Sequence, residues 1–257
     1  MRSRGMRKSV ILHIPHASRE IPPEERAGIC LSDAELSQEL LCITDAWTNE
    51  LFPSTPHEFR RVVFPASRLL CDPERFERDE DEPMSRSGMG AVYTRTSHGV
   101  VMRNNLTLSE RERIIEQWYR PHHEKLTRAV ETALGQYGQV LIVDCHSFPS
   151  MPLPYETDRS SERPDICLGT DPFHTPDGLL HRAELAAKGE GWTVQVNKPF
   201  SGALVPFNCF RKEKQVAAIM IEVNRALYMD ERSGERRSTF EGVRMGLTRM
   251  LEALVSR

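Results

Sequence analysis

The chain has 257 residues, 39% of them hydrophobic, with a formal net charge of −3 and a sequence pI of about 6.3. That apolar content excludes global disorder, and the lack of a basic field argues against nucleic acid as a partner. No stretch approaches the ~20 apolar residues of a membrane-spanning helix, and the segment near the N-terminus is too short for a signal-peptide core, so a soluble, cytoplasmic protein with no membrane partner is expected.

In chain order, the first predicted strand runs from Ser9 to Leu12, followed by a proline- and glutamate-rich loop from Pro15 to Glu25. A helix is predicted from Ser32 to about Leu51. Ser32 and Glu35 have capping-box spacing, and Leu36, Leu40, Ile43 and Trp47 recur at helical intervals. Asp45 points away from that stripe, either to solvent or into a site. Val62-Val63-Phe64 reads as a strand closed by Pro65, with Ser67-Arg68 after it. Asp72 to Pro83 is a charged turn whose charges are mostly expected on a solvated surface. Met84 to Val101 contains three glycines and is expected to be an irregular excursion able to fold over a site.

The clearest helix spans Ser109 to about Leu134. Ser109 and Glu112 are its expected capping box, and Ile115, Trp118, His122, Leu126, Ala129 and Ala133 form its inward stripe. Pro121 should kink it, and Gly135 and Gly138 should end it. A strand at Val140 follows, then short strands at Asp165 to Leu168 and Thr193 to Val196. The last helix covers about Gly234 to Val255, with Phe240, Val243, Leu247, Leu251 and Leu254 facing inward. Strands alternating with helices predict a single α/β domain over residues 1–257. The six cysteines contain no Cys-x-x-Cys pair, which fits reduced thiols rather than a structural zinc knuckle.

Three apolar runs end in chemistry-bearing clusters. Val10-Ile11-Leu12 runs into His13-Ile14-Pro15-His16, Val140 to Val143 into Asp144-Cys145-His146-Ser147, and Ala217 to Ile221 into Glu222-Val223-Asn224-Arg225. Strands buried on both faces look like this, and open α/β sheets bind ligands beyond their carboxyl ends. Run in parallel, the three would bring imidazoles and a carboxylate to one edge, which suits a metal-assisted hydrolase. His146 is the strongest candidate, with Asp144 and Ser147 able to orient its ring; a hydrogen-bonded structural histidine is the plainer reading. His13 and His16 would face opposite ways in an extended segment, and His16, beyond the strand, is preferred as a ligand. Glu222 is either a general base or an ion-pair partner of Arg225. His122 fits the core, and His57, His98, His174 and His181 default to the surface. Asp-Cys-His-Ser lacks the Gly-x-Ser-x-Gly elbow of a serine hydrolase.

At these residues the chain resembles the N-formylglutamate amidohydrolase family. The matching segments are Pro15-His16-Ala17-Ser18, Thr44-Asp45-Ala46-Trp47, Ser67-Arg68-Leu69, Asp144-Cys145-His146-Ser147, Asn197-Lys198-Pro199-Phe200, Glu222-Val223-Asn224-Arg225 and Leu227-Tyr228-Met229-Asp230. The resemblance implies a relative of zinc carboxypeptidases, a phosphorylase/hydrolase-like α/β fold whose mixed, mostly parallel sheet is flanked by helices. It implies hydrolysis of a formyl amide on an acidic amino acid, as in histidine degradation. His16, Asp45 and His146 would hold zinc, and Glu222 would be the base. Arg68, Arg75, Arg103, Arg225 and Asn197 are candidates for binding the acidic substrate. Some family members resemble Asp-Leu-Asn-Arg where this chain has Asp72-Pro73-Glu74-Arg75, which leaves other N-acyl amino acids open as substrates. The rivals are a metal-independent hydrolase using Ser147 or Cys145, and a non-catalytic domain that binds acidic small molecules.

Overall fold

The computed structural model describes residues 9–52 and 59–255; His57 lies outside the described residues. Strands β1 (Ser9–Ile14), β2 (Arg60–Val63), β3 (Val140–Phe148), β4 (Ile166–Gly169), β5 (Val194–Val196) and β6 (Val216–Asn224) form one sheet in the order β2-β1-β3-β6-β4-β5. β2, β1, β3 and β6 run parallel, β4 is antiparallel to β6, and β5 is parallel to β4. The helices are α1 (Pro23–Arg26), α2 (Asp33–Ile43), α3 (Thr48–Leu51), α4 (Leu108–Ile114), α5 (Arg120–Tyr137), α6 (Asp177–Gly189) and α7 (Phe240–Val255). The expected mixed, mostly parallel sheet flanked by helices is what forms. No helix among the described residues is long and apolar enough to cross a membrane.

Side-chain alternation sorts the sheet into two faces. Leu12, Leu141, Val143, Ile219 and Ile221 pack with α6 and α7 residues such as Ala183, Leu247 and Leu251. Ile11, Ile142 and Ala218 pack on the other face with Leu126, Ala129 and Val130 of α5. Extending the second face along each strand by steps of two reaches His13, then Asp144 and His146, then Met220 and Glu222. The register pairs His13 with Asp144 and His146 with Glu222. The apolar half of this face therefore anchors the strands, and its polar half lies at their carboxyl ends. The order β2-β1-β3 also makes the gap between β1 and β3 a switch point, where such sheets bind ligands.

Two predicted helices differ from expectation in ways that matter. The helix predicted over Ser32 to Leu51 is two, because Thr44 is extended and Trp47 has a left-handed φ of 68°. The break carries Asp45, whose backbone N–H donates to the His16 carbonyl at 2.9 Å while its own carbonyl accepts from the Thr48 hydroxyl. The helix predicted from Ser109 is capped by Thr107 with Glu110 instead. A π-helical stretch at Ile115–Tyr119 precedes Pro121, a wide turn that accommodates the ring where the ordinary ladder would clash. α5 runs through Gly135 and stops at Gly138, with a left-handed φ of 72°.

Candidate functional site

A cleft of about 240 Å³ opens at the carboxyl ends of β1, β3 and β6. His16 enters from just beyond β1, His146 from β3, Glu222 from β6 and Asp45 from the break between α2 and α3. Ligand-capable atoms of His16, Asp45 and His146 lie within 4.8 Å of one another. Asp45 Oδ2 stands 3.0 Å from His146 Nδ1 and 3.6 Å from His16 Nδ1. All three residues are buried.

A second layer fixes this trio. His16 Nε2 lies 2.9 Å from Asp72 Oδ1. The other Asp72 oxygen accepts from Arg68 Nη2 at 2.8 Å and from the Tyr93 hydroxyl at 2.7 Å. His146 Nε2 is 3.2 Å from both Asp144 and Glu74. Asp45 Oδ1 accepts from Arg225 Nη2 at 3.0 Å. Arg225 also donates to the Cys42 carbonyl and to Ser147, so its guanidinium is spent on the framework. His13 is fully buried, with Nδ1 2.7 Å from Asp144 and Nε2 2.9 Å from His122. Of the two early histidines, His16 is the one beside Asp45 and His146.

The charge balance is uneven. Asp45, Asp72, Glu74 and Glu222 gather with the guanidiniums of Arg68, Arg75 and Arg225, and Asp144 beside His146 adds a fifth carboxylate. Burial opposes a charge on His146, but Glu74, Asp144 and Asp45 outweigh it and hold its pKa well above the ordinary range. His16 is likewise raised, with burial and Arg68 overcome by Asp72 and Asp45. Burial would raise Asp45, yet its bonds to His146 and His16 hold it far below the usual carboxylate range. Glu222 is pushed up to about 8, first by burial and then by Asp45 and Glu74, against His146 and Arg225. A cluster that draws protons onto imidazoles in this way would draw a cation too. His16 Nδ1 and Glu222 Oε2 are buried without a hydrogen-bond partner among the described residues, which a metal ion or its water would relieve. The trio therefore fits a divalent cation, with Glu222 nearby and outside the donor set.

Several expectations meet a different arrangement. Arg103 does not line the cleft; its Nη1 donates to the Leu69 and Tyr93 carbonyls, and burial lowers its pKa to about 10. Asn197 is exposed, with φ 57° and both ends of its side-chain amide bonded to Thr170. Arg68 and Arg75 do reach the cleft. His174, expected at the surface, is buried between the Val216 carbonyl and the Arg211 N–H. Asp72, from the turn read as solvated, is fully buried, and Glu74 lines the cleft. Asp144 stands beside the His146 ring, where the strand-end reading expects it, whereas nothing local marks the roles of Asp72 and Glu74, which depend on where the loop is carried. Cys145 belongs to the opposite apolar face, and burial pushes its thiol well above the ordinary range.

A profile of the N-formylglutamate amidohydrolase family matches residues 8–229. The chain belongs to the N-formylglutamate amidohydrolase family. Two relatives are named N-formylglutamate deformylase. The one from Pseudomonas putida is 26% identical over 259 residues, spanning 97% of this chain and 93% of its own length. The one from Pseudomonas aeruginosa is 25% identical, spanning 97% and 94%. The fold is shared with a crystal structure of N-formylglutamate amidohydrolase from Ralstonia eutropha JMP134, with a TM-score of 0.81 at 24% identity over 98% of this chain and 93% of that one. A gene product of Agrobacterium tumefaciens has the same fold, with a TM-score of 0.68 at 20% identity over 97% and 91%.

Proposed function

We propose that this chain is a metal-dependent amidohydrolase that removes the formyl, or another acyl, group from the nitrogen of an acidic amino acid such as N-formylglutamate. The observation that carries this reading is the convergence of His16, Asp45 and His146 with Glu222 in one buried cleft that also holds Arg68 and Arg75. The names of the Pseudomonas relatives support the substrate. Two imidazole nitrogens and one carboxylate oxygen match the donor preference of zinc. Zinc bound there would polarise the amide carbonyl and lower the pKa of a water.

The chain's own residues do the rest. Glu222 accepts the proton of the attacking water and passes it to the departing amide nitrogen. Arg68 and Arg75 both stand beside Asp72, and Arg75 Nε has no hydrogen-bond partner among the described residues. These two bind the substrate carboxylate, whereas Arg225 holds Asp45 and Ser147 in place. Asp72 holds the outward nitrogen of His16, the support that metal-ligating histidines require, and Asp144 and Glu74 lend their charge to the His146 ring from 3.2 Å. We place this activity in the cytoplasm, which six free cysteines suit, with the whole chain acting as one domain.

The test is release of formate from N-formyl-L-glutamate by the purified chain, before and after exhaustive chelation. The reading expects turnover that chelation abolishes and zinc restores. No turnover on any N-acyl acidic amino acid would refute the hydrolase, and full activity after chelation would refute its metal dependence.

A further inference from the structure

Beside the polar cleft lies a second, larger chamber of about 350 Å³. Glu74, Arg75, Ser201 and Met220 line both, so the two spaces adjoin across a shared wall. Their chemistry differs. The chamber is also lined by Phe76, Phe207, Phe210, Tyr119 and His123, none of which lines the cleft. Phe76, Phe207 and Phe210 are large apolar side chains left 48%, 56% and 37% exposed. Their rings are already organised as a surface: Phe76 and Phe207 have centroids 6.3 Å apart, His123 stacks on Phe207 at 6.0 Å, and Tyr119 lies 4.2 Å from His123. Burial lowers the His123 pKa to about 4, so that ring is neutral at pH 7. A contiguous exposed apolar patch of this kind marks a binding surface.

The strands say where this chamber stands relative to the chemistry. On β3, His146 lines the cleft and Asp144 the chamber; on β6, Glu222 lines only the cleft, whereas Met220 lines both. The chamber is therefore one same-face step back from the strand ends, roughly 7 Å, a reach of roughly five or six acyl carbons. Arg68, from the loop after β2, lines the cleft alone. Arg75 stands on the wall shared with the chamber, so a substrate carboxylate held on the Arg68 side of the cleft leaves the chamber for the acyl substituent of the same amide.

We propose that this chamber is an acyl-binding subsite, and that the favoured substrates are acidic amino acids N-acylated by an aliphatic or aryl group of about six carbons rather than by formyl alone. The inference rests on the hydrolase reading above and names its substrate class. Hydrolysis of such a substrate consumes one water, breaks the amide C–N bond, and yields a carboxylic acid and the free amino acid.

The test compares binding of N-acetyl-L-glutamate and N-hexanoyl-L-glutamate by calorimetry, using the full-length Glu222→Gln chain loaded with zinc so that hydrolysis does not intrude. Burial of four further methylenes predicts a Kd at least ~10-fold lower for the hexanoyl compound. Phe207→Asp, and independently Phe210→Asp, should shrink that ratio to roughly threefold or less, a readout that general damage to the protein would not mimic. Equal dissociation constants, or a ratio that neither substitution changes, would overturn the subsite. Turnover of N-formyl-L-glutamate is scored separately. A chain that hydrolyses it without acyl preference keeps the hydrolase and loses the chamber; one that prefers the hexanoyl compound without hydrolysing anything does the reverse.

Discussion

Replacing Glu222 by glutamine separates the catalytic role of this residue from its electrostatic cost. Glu222 is 7% exposed and its pKa is raised from 4.5 to about 8, chiefly by burial. In the metal-free fold the proton is thus held more tightly than in the unfolded chain. A carboxyl raised in this way leaves stability untouched below pH 4.5, erodes it as pH rises between the two values, and changes nothing further above about 8. Each pH unit in that window costs ~1.4 kcal/mol, so at pH 7 the ionisable group destabilises the metal-free chain by ~3 kcal/mol. Glutamine keeps the shape and cannot ionise. Urea titrations of both metal-free proteins from pH 4.5 to 8 should therefore show Glu222→Gln gaining a few kcal/mol on the parent as pH rises. Loading zinc should shrink the gap, because a nearby cation favours the carboxylate. At the same time kcat should fall by ~100-fold or more while zinc is retained. A stability difference independent of pH, or hydrolysis at the parental rate, would refute the reasoning.

Other substitutions probe the frame. Arg75→Ala should raise KM for an acidic substrate ~10-fold or more, since charged hydrogen bonds contribute ~1.5–3 kcal/mol; steady-state kinetics on a substrate amide lacking the carboxylate should show no such change. Asp72→Asn leaves Arg68 without its ionic partner and weakens the hold on His16 Nε2. It should lower zinc affinity ~10- to 100-fold in a chelator competition. Gly169→Ala would drive a Cβ into the Gly202 carbonyl and the Met220 side chain. Overpacking of this kind costs ~1–3 kcal/mol, read as a lowered Tm.

Much of the architecture was legible because it is periodic. β3 and β6 each open with an uninterrupted apolar run, and the inward stripe of α7 repeats at helical spacing, with Phe240, Val243, Leu247, Leu251 and Leu254 all buried. Parallel strands then bring His146 and Glu222 into register. What escaped the sequence was decided at a distance. The break that presents Asp45 depends on the His16 carbonyl and on Trp47, whose indole donates to the Gly234 carbonyl, and neither partner is local. Asp72 reads as one acid in a charged turn until Arg68, Tyr93 and His16 close around it. Arg103 and Asn197 looked like substrate ligands by residue type, but backbone carbonyls hold the first and Thr170 holds the second. α6, which covers β4 and the far face of the sheet with Leu179, Ala183 and Ala187, went unpredicted although that stripe has helical spacing, because two of its three residues are alanines.

The central claim is that groups from four separate stretches of chain surround one divalent ion. Elemental analysis of the purified protein, set beside His146→Ala protein of matched circular dichroism, addresses it directly. The account predicts about one tightly held metal per chain, lost on substitution of His146. A folded His146→Ala protein that keeps the full metal content of the parent would contradict it.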